Sequence, residues 1–244
     1  VQLKYYEGEE ETILGVLERN DIKEASGLIH SRQYSNVFWT HNDSEGSNLN
    51  YIYAFNSNGD DLGRFTIGHY DEPMFSIRDW EDMATDNEGN LYIAEIGDNN
   101  NSHDIKYIYE CPEPDVNNPP ENNEILCNVF PFRYDDGFKY DAETLLVDTN
   151  GDIYIVTKSP FNFLGSEASK IFKLNTTTQI AEYVNDIGST LEGEFVFLNQ
   201  VTGGDISVDG TSVLIRTYEK IFKFDKSDFL SGGNATIEEM PYSR

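Results

Sequence analysis

The chain of 244 residues is 38% hydrophobic and 13% aromatic, so it can bury a substantial core and is not intrinsically disordered. Its 44 acidic and 17 basic residues give a formal net charge of −27. Because phosphate binding needs clustered Lys and Arg, this balance argues against nucleic acid and suits cations or basic partners. No apolar run is long enough to span a bilayer, which predicts no membrane insertion.

The first predicted element is a strand in ETILGVLE, within a separate N-terminal segment of residues 1–20. Residues 21–244 then repeat one pattern four times: a small or acidic start, a short apolar strand, a turn and a second strong strand. The repeats begin at Lys23, Asp79, Tyr140 and Thr202. Three of the turns combine Asp or Asn with Gly, which supplies the positive φ angles of a hairpin. These turns lie at residues 86–89, 148–151 and 209–210.

Each repeat continues into a third strand in which aromatic or β-branched residues alternate with polar ones, the period of a half-buried strand. These strands read LNYIYAFN, IKYIYECP, SKIFKLN and EKIFKFD. A weaker fourth strand follows in LGRFTIG, CNVFPFRY, IAEYVND and ATIEEMPY. Four antiparallel strands repeated around an axis are the plan of a β-propeller, so we expect an all-β propeller with four recognisable blades and no helix.

The N-terminal strand leaves two ways to close such a ring. Either four blades close with this strand added at the seam, or the chain follows a five-bladed plan whose last blade it lacks. The strand can also pair with the open edge of another molecule, because an unpaired strand edge invites augmentation. Self-association through an edge strand is therefore a further expectation.

Acidic residues recur where the first strand of each repeat begins. In a propeller these strands line the central axis, which predicts a ring of carboxylates around one channel. Carboxylates that converge on an axis repel one another, and a hard cation such as Ca²⁺, which takes six to eight oxygen ligands, would relieve that repulsion. The candidate metal ligands are Glu24, Glu81, Asp82, Glu143 and Asp205.

Two other interpretations of these residues stay open. The carboxylates can form salt bridges and hydrogen bonds with Lys158, Arg216 and backbone amides, and so fix the blades without a ligand. Alternatively, they belong to a metal-dependent hydrolase site for an ester, lactone or phosphoester, in which His41, Lys158 or Arg216 stabilises the developing anion. The catalytic candidates are then His41, Glu81 and Arg216. The chain has no Gly-x-Ser-x-Gly elbow, phosphate-binding loop or His-Glu-x-x-His pair.

The two cysteines are separated by a loop with four prolines, PEPDVNNPPENNE. If the flanking strands pair as a hairpin, Cys111 and Cys127 lie close together and form a disulfide, which indicates an oxidising compartment. Two buried free thiols are the alternative. Asn-x-Ser/Thr acceptors for glycosylation occur at Asn42, Asn100, Asn175 and Asn234.

The stretches EASGL, WTHND, DWEDMA, EIGDN, DAETLLVD and GGDISVDG carry a family resemblance. In them the chain resembles uncharacterised, secreted, mostly bacterial β-propeller proteins, and it is more loosely similar to phytase-like and esterase-like propellers. The resemblance covers roughly residues 22–225 and implies a secreted propeller without an established activity. Proteins of this family usually continue with a further blade that opens with Gln-Gly-Glu-Ala, a motif that this sequence lacks.

These patterns together predict an extracellular or cell-surface module for binding or assembly, with its signal peptide already removed. Its ligand would be a carbohydrate stacked on exposed Tyr or Trp, or a basic partner attracted by the acidic surface. The metal-dependent hydrolase acting at the channel mouth is the alternative function.

Overall fold

A computed structural model describes most of the chain, namely residues 2–7, 10–43, 50–70, 78–158, 161–162, 165–166, 168–187, 200–218, 220–233 and 235. Within these ranges the chain is an all-β protein with a mixed sheet and one short α-helix. It divides into two compact units, Val1–Glu95 with Ile108–Phe130 (unit 1) and Ile96–Tyr107 with Pro131–Arg244 (unit 2). The predicted strand ATIEEMPY, except for its first residue, and the glycosylation acceptor Asn234 lie outside the described residues.

Ten strands lie in the first part of the chain. The ninth begins in unit 2 and ends in unit 1, and the tenth begins in unit 1 and ends in unit 2. They are β1 Gln2–Glu7, β2 Glu10–Val16, β3 Ala25–His30, β4 Phe38–Asn42, β5 Tyr51–Phe55, β6 Asp61–His69, β7 Trp80–Thr85, β8 Asn90–Glu95, β9 Lys106–Pro112 and β10 Glu124–Tyr134. Strands β3 to β6 pair in sequence order as an antiparallel sheet, and β7 to β10 also pair in sequence order. The outer strands β6 and β10 run parallel to each other where residues 66–69 face residues 124–127.

Unit 2 continues the same arrangement. Its elements are β11 Ala142–Val147, β12 Ile153–Thr157, β13 Phe161–Asn162, β14 Gly165–Ser166, β15 Ser169–Asn175, β16 Ile180–Ile187, β17 Val201–Ile206, β18 Ser212–Thr217, β19 Ile221–Asp225 and the helix α1 Lys226–Ser231. Strands β11, β12, β15 and β16 form one antiparallel sheet, and β17, β18 and β19 form another. The short strands β13 and β14 pair with each other. Leu146 and Val156 of the first sheet share a buried apolar cluster with Val213 and Phe224 of the second.

The predicted turns form where the sequence places Asp and Gly together. Gly89, Gly151 and Gly210 have φ angles of 95°, 83° and 70°, in the left-handed region that favours glycine. In the first of these turns the Asp86 carboxylate also accepts the backbone N–H groups of Glu88 and Asn90, both at 2.9 Å. The turn residues therefore fix where each first strand ends and each second strand begins.

The first strands of the two central repeats are more buried than the third strands. All six residues of β7 and all six of β11 are buried, whereas β9 alternates between buried and half-exposed residues. A strand that is buried on both faces leaves its polar side chains no access to bulk water. Such side chains must find partners inside the protein.

The expectation that the chain has no helix is wrong, because residues Lys226–Ser231 form α1. The helix ends at Gly232, which has φ 75°, and Phe229 packs against Phe224 at a ring-centroid distance of 5.4 Å. A helix of less than two turns shows no repeating apolar period, so pattern reading could not detect it.

The N-terminal segment forms a hairpin of its own. The predicted strand, β2, pairs with β1, which the sequence pattern did not indicate. Ile13, Leu14 and Val16 of β2 are exposed, while Leu17 just after it belongs to a buried cluster with Tyr53. The structure does not test whether β2 closes a ring or pairs with another molecule, so both stay predictions.

The predicted disulfide is confirmed between Cys111 of β9 and Cys127 of β10, with a Cα–Cα distance of 4.3 Å. Both residues are fully buried. The bond holds the ends of the proline-rich loop together and is of the kind that forms in oxidising compartments.

Replacing both Cys111 and Cys127 by Ala is expected to lower the free energy of unfolding by about 3 kcal/mol, because the unfolded chain regains the entropy of the loop. Urea unfolding of the wild-type and doubly substituted proteins measures the difference. Wild-type protein reduced with dithiothreitol is the matched control and should lose a similar amount. Equal stability of all three forms would show that the loop is held in place without the bond.

Candidate functional site

Each first strand carries a β-bulge near its start. The pairing register shifts after Ala25 in β3, Trp80 in β7, Ala142 in β11 and Val201 in β17. Counted from the second strand of each sheet, the bulged position is occupied by Ser26, Glu81, Glu143 and Thr202. A bulge leaves local backbone groups without ladder partners, so polar side chains are needed there.

The register corrects the predicted equivalence of four carboxylates. Glu81 and Glu143 occupy the same position, as expected, and both are buried. Glu24 is not their equivalent, because it is exposed and lies two residues before the bulged Ser26. Asp205 is not their equivalent either, because it lies three residues beyond Thr202 and pairs with Leu214.

In unit 1 the structure brings together three carboxylates that we call the acidic trio: Asp43, Asp79 and Glu81. One carboxylate oxygen from each lies within 4.8 Å of the others. Asp43 directly follows β4, Asp79 directly precedes β7, and Glu81 occupies the bulge. The Glu81 residue is 5% exposed, and the other two members are half-buried. Glu81 was a predicted metal ligand, whereas Asp43 and Asp79 were not.

Hydrogen bonds fix the backbone beneath the acidic trio. The Ser26 hydroxyl donates to the Glu81 carbonyl at 2.7 Å, and the Asp43 N–H donates to the Glu24 carbonyl at 2.8 Å. The predicted ligand Glu24 therefore contributes its backbone here. A site that brings three carboxylate oxygens together has the donor chemistry that Ca²⁺ prefers.

The predicted ligands Asp82 and Asp205 share a different role. Asp82 Oδ1 accepts the backbone N–H of Met83 at 2.9 Å, and Asp205 Oδ1 accepts that of Ile206 at 2.8 Å. Each carboxylate thus binds the amide of the residue that follows it. Asp82 is buried and Asp205 is half-buried, so these bonds satisfy amides that solvent reaches poorly.

In unit 2, Glu143 forms an ion pair with Lys158, which directly follows β12. Burial alone would lower the pKa of Lys158, but the negative charge of Glu143 outweighs it and raises the pKa above the usual range. The Lys158 backbone N–H also donates to the Asp141 carbonyl at 2.9 Å. Lys158 therefore stays protonated and is held by its partner.

The catalytic candidate His41 is fully buried, and both of its ring nitrogens have backbone partners. Nε2 accepts the N–H of Gly27 at 3.2 Å, so Nδ1 carries the proton and donates to the Asn42 carbonyl at 3.0 Å. Burial lowers the pKa of His41 to about 4, which keeps the ring neutral near pH 7. A Cβ on residue 27 would lie 2.8 Å from Nε2, so glycine is required for this contact.

Arg216, the third catalytic candidate, holds the bulge of its own sheet. Its Nε donates to the Thr202 hydroxyl at 3.0 Å, and Nη2 donates to the Thr202 carbonyl at 2.7 Å. His41 makes the corresponding contact with Gly27 in the first sheet. Both side chains thus bind backbone groups that the bulged strand leaves outside the ladder.

A second buried ion pair lies in the EIGDN segment, between Asp98 and Lys106 at 3.0 Å, with both side chains 1% exposed. Burial raises the pKa of Asp98, but the backbone N–H groups of Ser102 and His103 and the Lys106 ammonium outweigh it and lower the pKa to about 2. The carboxylate therefore closes the loop of residues 99–105 around itself.

The predicted glycosylation acceptors differ in their accessibility. Asn42 Nδ2 donates to the Asp21 carbonyl at 2.7 Å, while its Oδ1 accepts two backbone N–H groups, so its amide is committed inside the protein. Asn100 and Asn175 are exposed. The geometry disfavours a glycan on Asn42 and leaves the other two acceptors accessible.

The pairing and the side chains define the class of protein. It is an all-β chain in which the strands within each sheet follow sequence order, and the first strand of each sheet is bulged and polar at its start. No helix among the described residues is long and apolar enough to cross a membrane. No protein-family model matches the chain, and no curated protein matches it.

Two solved structures are remotely similar to this chain. An auxiliary nutrient binding protein from Bacteroides thetaiotaomicron is 11% identical over 94% of this chain, with a TM-score of 0.45. A functionally unknown protein from Desulfotomaculum acetoxidans is 17% identical over 89% of it, with a TM-score of 0.41. The chain spans 47% of the first protein and 60% of the second. Similarities this remote assign neither a family nor a function.

Substituting His41 by Gln should make stability less sensitive to pH. In the wild type, the unfolded state takes up a proton on His41 below its ordinary pKa of 6.5, while the folded state does not until about pH 4, so acid favours unfolding. Between pH 7 and pH 5 the wild type should lose about 2 kcal/mol more than the variant. Urea unfolding at both pH values measures this, and equal losses would contradict the assigned burial of His41.

Substituting Asp98 by Asn is expected to cost about 3–5 kcal/mol, because it leaves Lys106 buried without its anion. The depressed pKa of Asp98 contributes stability above pH 4 that is lost as the pH falls toward 2, so from pH 5 to pH 3 the wild type should lose about 1 kcal/mol more than the variant. Chemical unfolding at these pH values measures both effects. Asp104→Asn, in the same loop but exposed, is the matched control and should change little.

Proposed function

We propose that this chain is a β-propeller that serves as an extracellular binding module rather than as an enzyme. Two observations support the propeller. Sequence repeats coincide with sheets whose strands pair in sequence order, and every first strand is bulged at the corresponding place. The disulfide and the accessible acceptors at Asn100 and Asn175 support an extracellular setting.

The main support for a non-catalytic function is that side chains proposed for catalysis are hydrogen-bonded or ion-paired within the protein. His41 uses both ring nitrogens on the backbone, Arg216 binds Thr202, and Lys158 is paired with Glu143. A general base needs an accessible lone pair, and an anion-stabilising cation needs a free donor directed at the substrate. These three side chains instead bind the protein itself, which favours a structural role for each.

We further propose that the acidic trio holds one divalent cation, with Ca²⁺ as the best match. Three carboxylate oxygens lie within 4.8 Å of one another, and like charges at such distances repel. A hard cation that accepts six to eight oxygens at flexible geometry would neutralise it. Asp43 and Asp79 are half-buried, so the cation would keep some of its water ligands.

The alternative function is a metal-dependent hydrolase of an ester, lactone or phosphoester. It would require a cation at the acidic trio to activate water without help from His41, whose nitrogens are both held. A substrate panel tests it: hydrolysis that is lost in Glu81→Gln, with folding intact, would replace the binding-module proposal. His41→Ala belongs in the same panel as a test of direct catalysis by the imidazole.

Calcium is expected to stabilise the wild type and to leave Glu81→Gln unchanged. At a concentration one hundred times its dissociation constant, a ligand that binds only the folded state adds about 2.7 kcal/mol. Thermal unfolding in EDTA and in CaCl₂ measures the effect. Asp205→Asn is the matched control and should keep the calcium response, because Asp205 is not in the acidic trio. Equal responses of Glu81→Gln and the wild type would contradict the assigned site.

A further inference from the structure

Unit 2 contains an open cleft that none of the predicted site residues lines. Its volume is about 400 Å³, and its walls include Asp135, Asp136, Lys170 and Tyr183. Small-molecule pockets commonly measure about 300–1,000 Å³, so the cleft is large enough for a small ligand. Its lining offers carboxylates, an ammonium group and an aromatic ring on one open surface.

The cleft is built by the paired strands β15 and β16 and by the turn that follows β10. Lys170 of β15 lies across from Asp186 of β16, and Tyr183 lies on the same β16 strand. The Tyr183 backbone N–H donates to Asp135 Oδ2 at 3.0 Å, which ties the turn after β10 to this strand. The turn itself is closed by Gly137, whose φ is 75° and whose N–H donates to the Tyr134 carbonyl at 3.1 Å.

The Tyr183 ring is accessible and packs against a buried aromatic residue. The residue is 47% exposed, and its ring packs edge-to-face on Phe172 at 5.9 Å. An aromatic ring that is already packed on one side and open on another loses little conformational entropy when a ligand stacks on it.

A second aromatic pair lies on the adjoining turn. Phe138 is 69% exposed and stacks on Tyr140 with a centroid distance of 5.7 Å. Asp136 holds both residues, because it accepts the Phe138 N–H at 2.9 Å and the Tyr140 hydroxyl at 2.7 Å. Tyr140 in turn packs against Phe172 at 5.3 Å, so one continuous aromatic cluster links this pair to Tyr183.

The polar groups of the cleft combine donors and acceptors. Among the described residues, Asp135 accepts a hydrogen bond through Oδ2, which leaves Oδ1 as an acceptor for a ligand. The Lys170 ammonium has three protons, and its hydrogen bond to a described residue is a long one, 3.4 Å, to Asp186 Oδ1. One ligand in the cleft can therefore donate a hydrogen bond to Asp135 and accept another from Lys170.

The charges of the cleft disfavour an anion and place an ammonium group beside the aromatic ring. Lys170 Nζ lies 5.6 Å from the centroid of the Tyr183 ring, so this ammonium group would repel a ligand cation that approached the ring. An anionic ligand would be repelled by Asp135, Asp136 and Asp186, which outnumber Lys170. A neutral ligand rich in hydroxyl groups avoids both conflicts.

We propose that this cleft of unit 2 binds a neutral carbohydrate. The C–H face of a pyranose ring packs on Tyr183, because those hydrogens carry slight positive charge toward the negative face of the aromatic ring. Neighbouring hydroxyls donate to Asp135 and accept from Lys170. This inference gives the proposed binding module a ligand class, and it does not depend on the cation at the acidic trio.

An array of neutral oligosaccharides of glucose, galactose, mannose, xylose and N-acetylglucosamine identifies the sugar, and isothermal titration calorimetry with that sugar measures its affinity. Tyr183→Ala is expected to weaken binding about tenfold by removing the stacking face. Tyr183→Phe keeps the ring and should bind within about twofold of the wild type. Tyr70→Ala, which removes an exposed tyrosine of unit 1, is the matched control and should bind normally.

Three results would overturn the proposal: no binding to any sugar of the array, sugar binding that Tyr183→Ala leaves unchanged, or preferred binding of putrescine as a cationic probe. Circular dichroism and cooperative thermal unfolding of Tyr183→Ala show that this variant is folded. Failure of the cation proposal is separate, because Glu81→Gln should lose the calcium response and still bind the sugar.

Discussion

The rest of the structure depends on the bulge at the start of each first strand. A bulge takes backbone groups out of the hydrogen-bonded ladder, and in β7 and β11 it does so within strands whose residues are all buried. Buried backbone groups without partners are costly, so the sequence must supply polar side chains at these places. Ser26, His41 and Arg216 do this for the carbonyl or amide groups of bulged segments. This requirement explains why strands that build the core begin with polar and charged residues.

Several of the few basic side chains form ion pairs with buried carboxylates. The chain has 17 basic residues against 44 acidic ones, yet Lys106, Lys158 and Lys226 pair with Asp98, Glu143 and Asp148, all of which are buried. Removing either partner of such a pair leaves an uncompensated charge, whereas surface ion pairs contribute little. The large negative charge is therefore mainly a property of the exposed surface, where water and salt screen it.

Much of the fold follows from the sequence alone, because its signals are local. Asp-Gly turns, alternating strands and the cysteine spacing predict the hairpins and the disulfide, and the structure confirms these features. The short helix α1 and the strand β1 carry no comparable local pattern. Whether the sheets close into a propeller depends on long-range packing, which a one-dimensional repeat cannot specify.

The candidate site was predictable only in part, and the bulge is again the reason. Sequence alignment of the repeats places Glu24 and Asp205 beside Glu81 and Glu143, but the pairing register replaces them with Ser26 and Thr202. The bulge recurs in every first strand, but the residue that occupies it changes from one repeat to the next, so an alignment that matches carboxylates misses the bulged position by two or three residues. Asp43 enters the acidic trio because it follows β4, a placement that becomes visible only when β4 is set beside β7.

The residues of the most conspicuous sequence motifs are not the residues that line the open cleft. The residues of WTHND, DWEDMA and DAETLLVD lie mostly in buried strands, where His41, Asp82 and Glu143 are bound to the protein itself. The cleft, in contrast, is formed by the strand β16 and a turn, with Tyr183 and Phe138 exposed. Buried networks fix one arrangement of the sheets, and that rigidity allows a turn and a strand to hold an open aromatic surface in constant geometry. The polar side chains of the buried strands are therefore structural, and the proposed carbohydrate site uses exposed aromatic residues that the repeats do not mark.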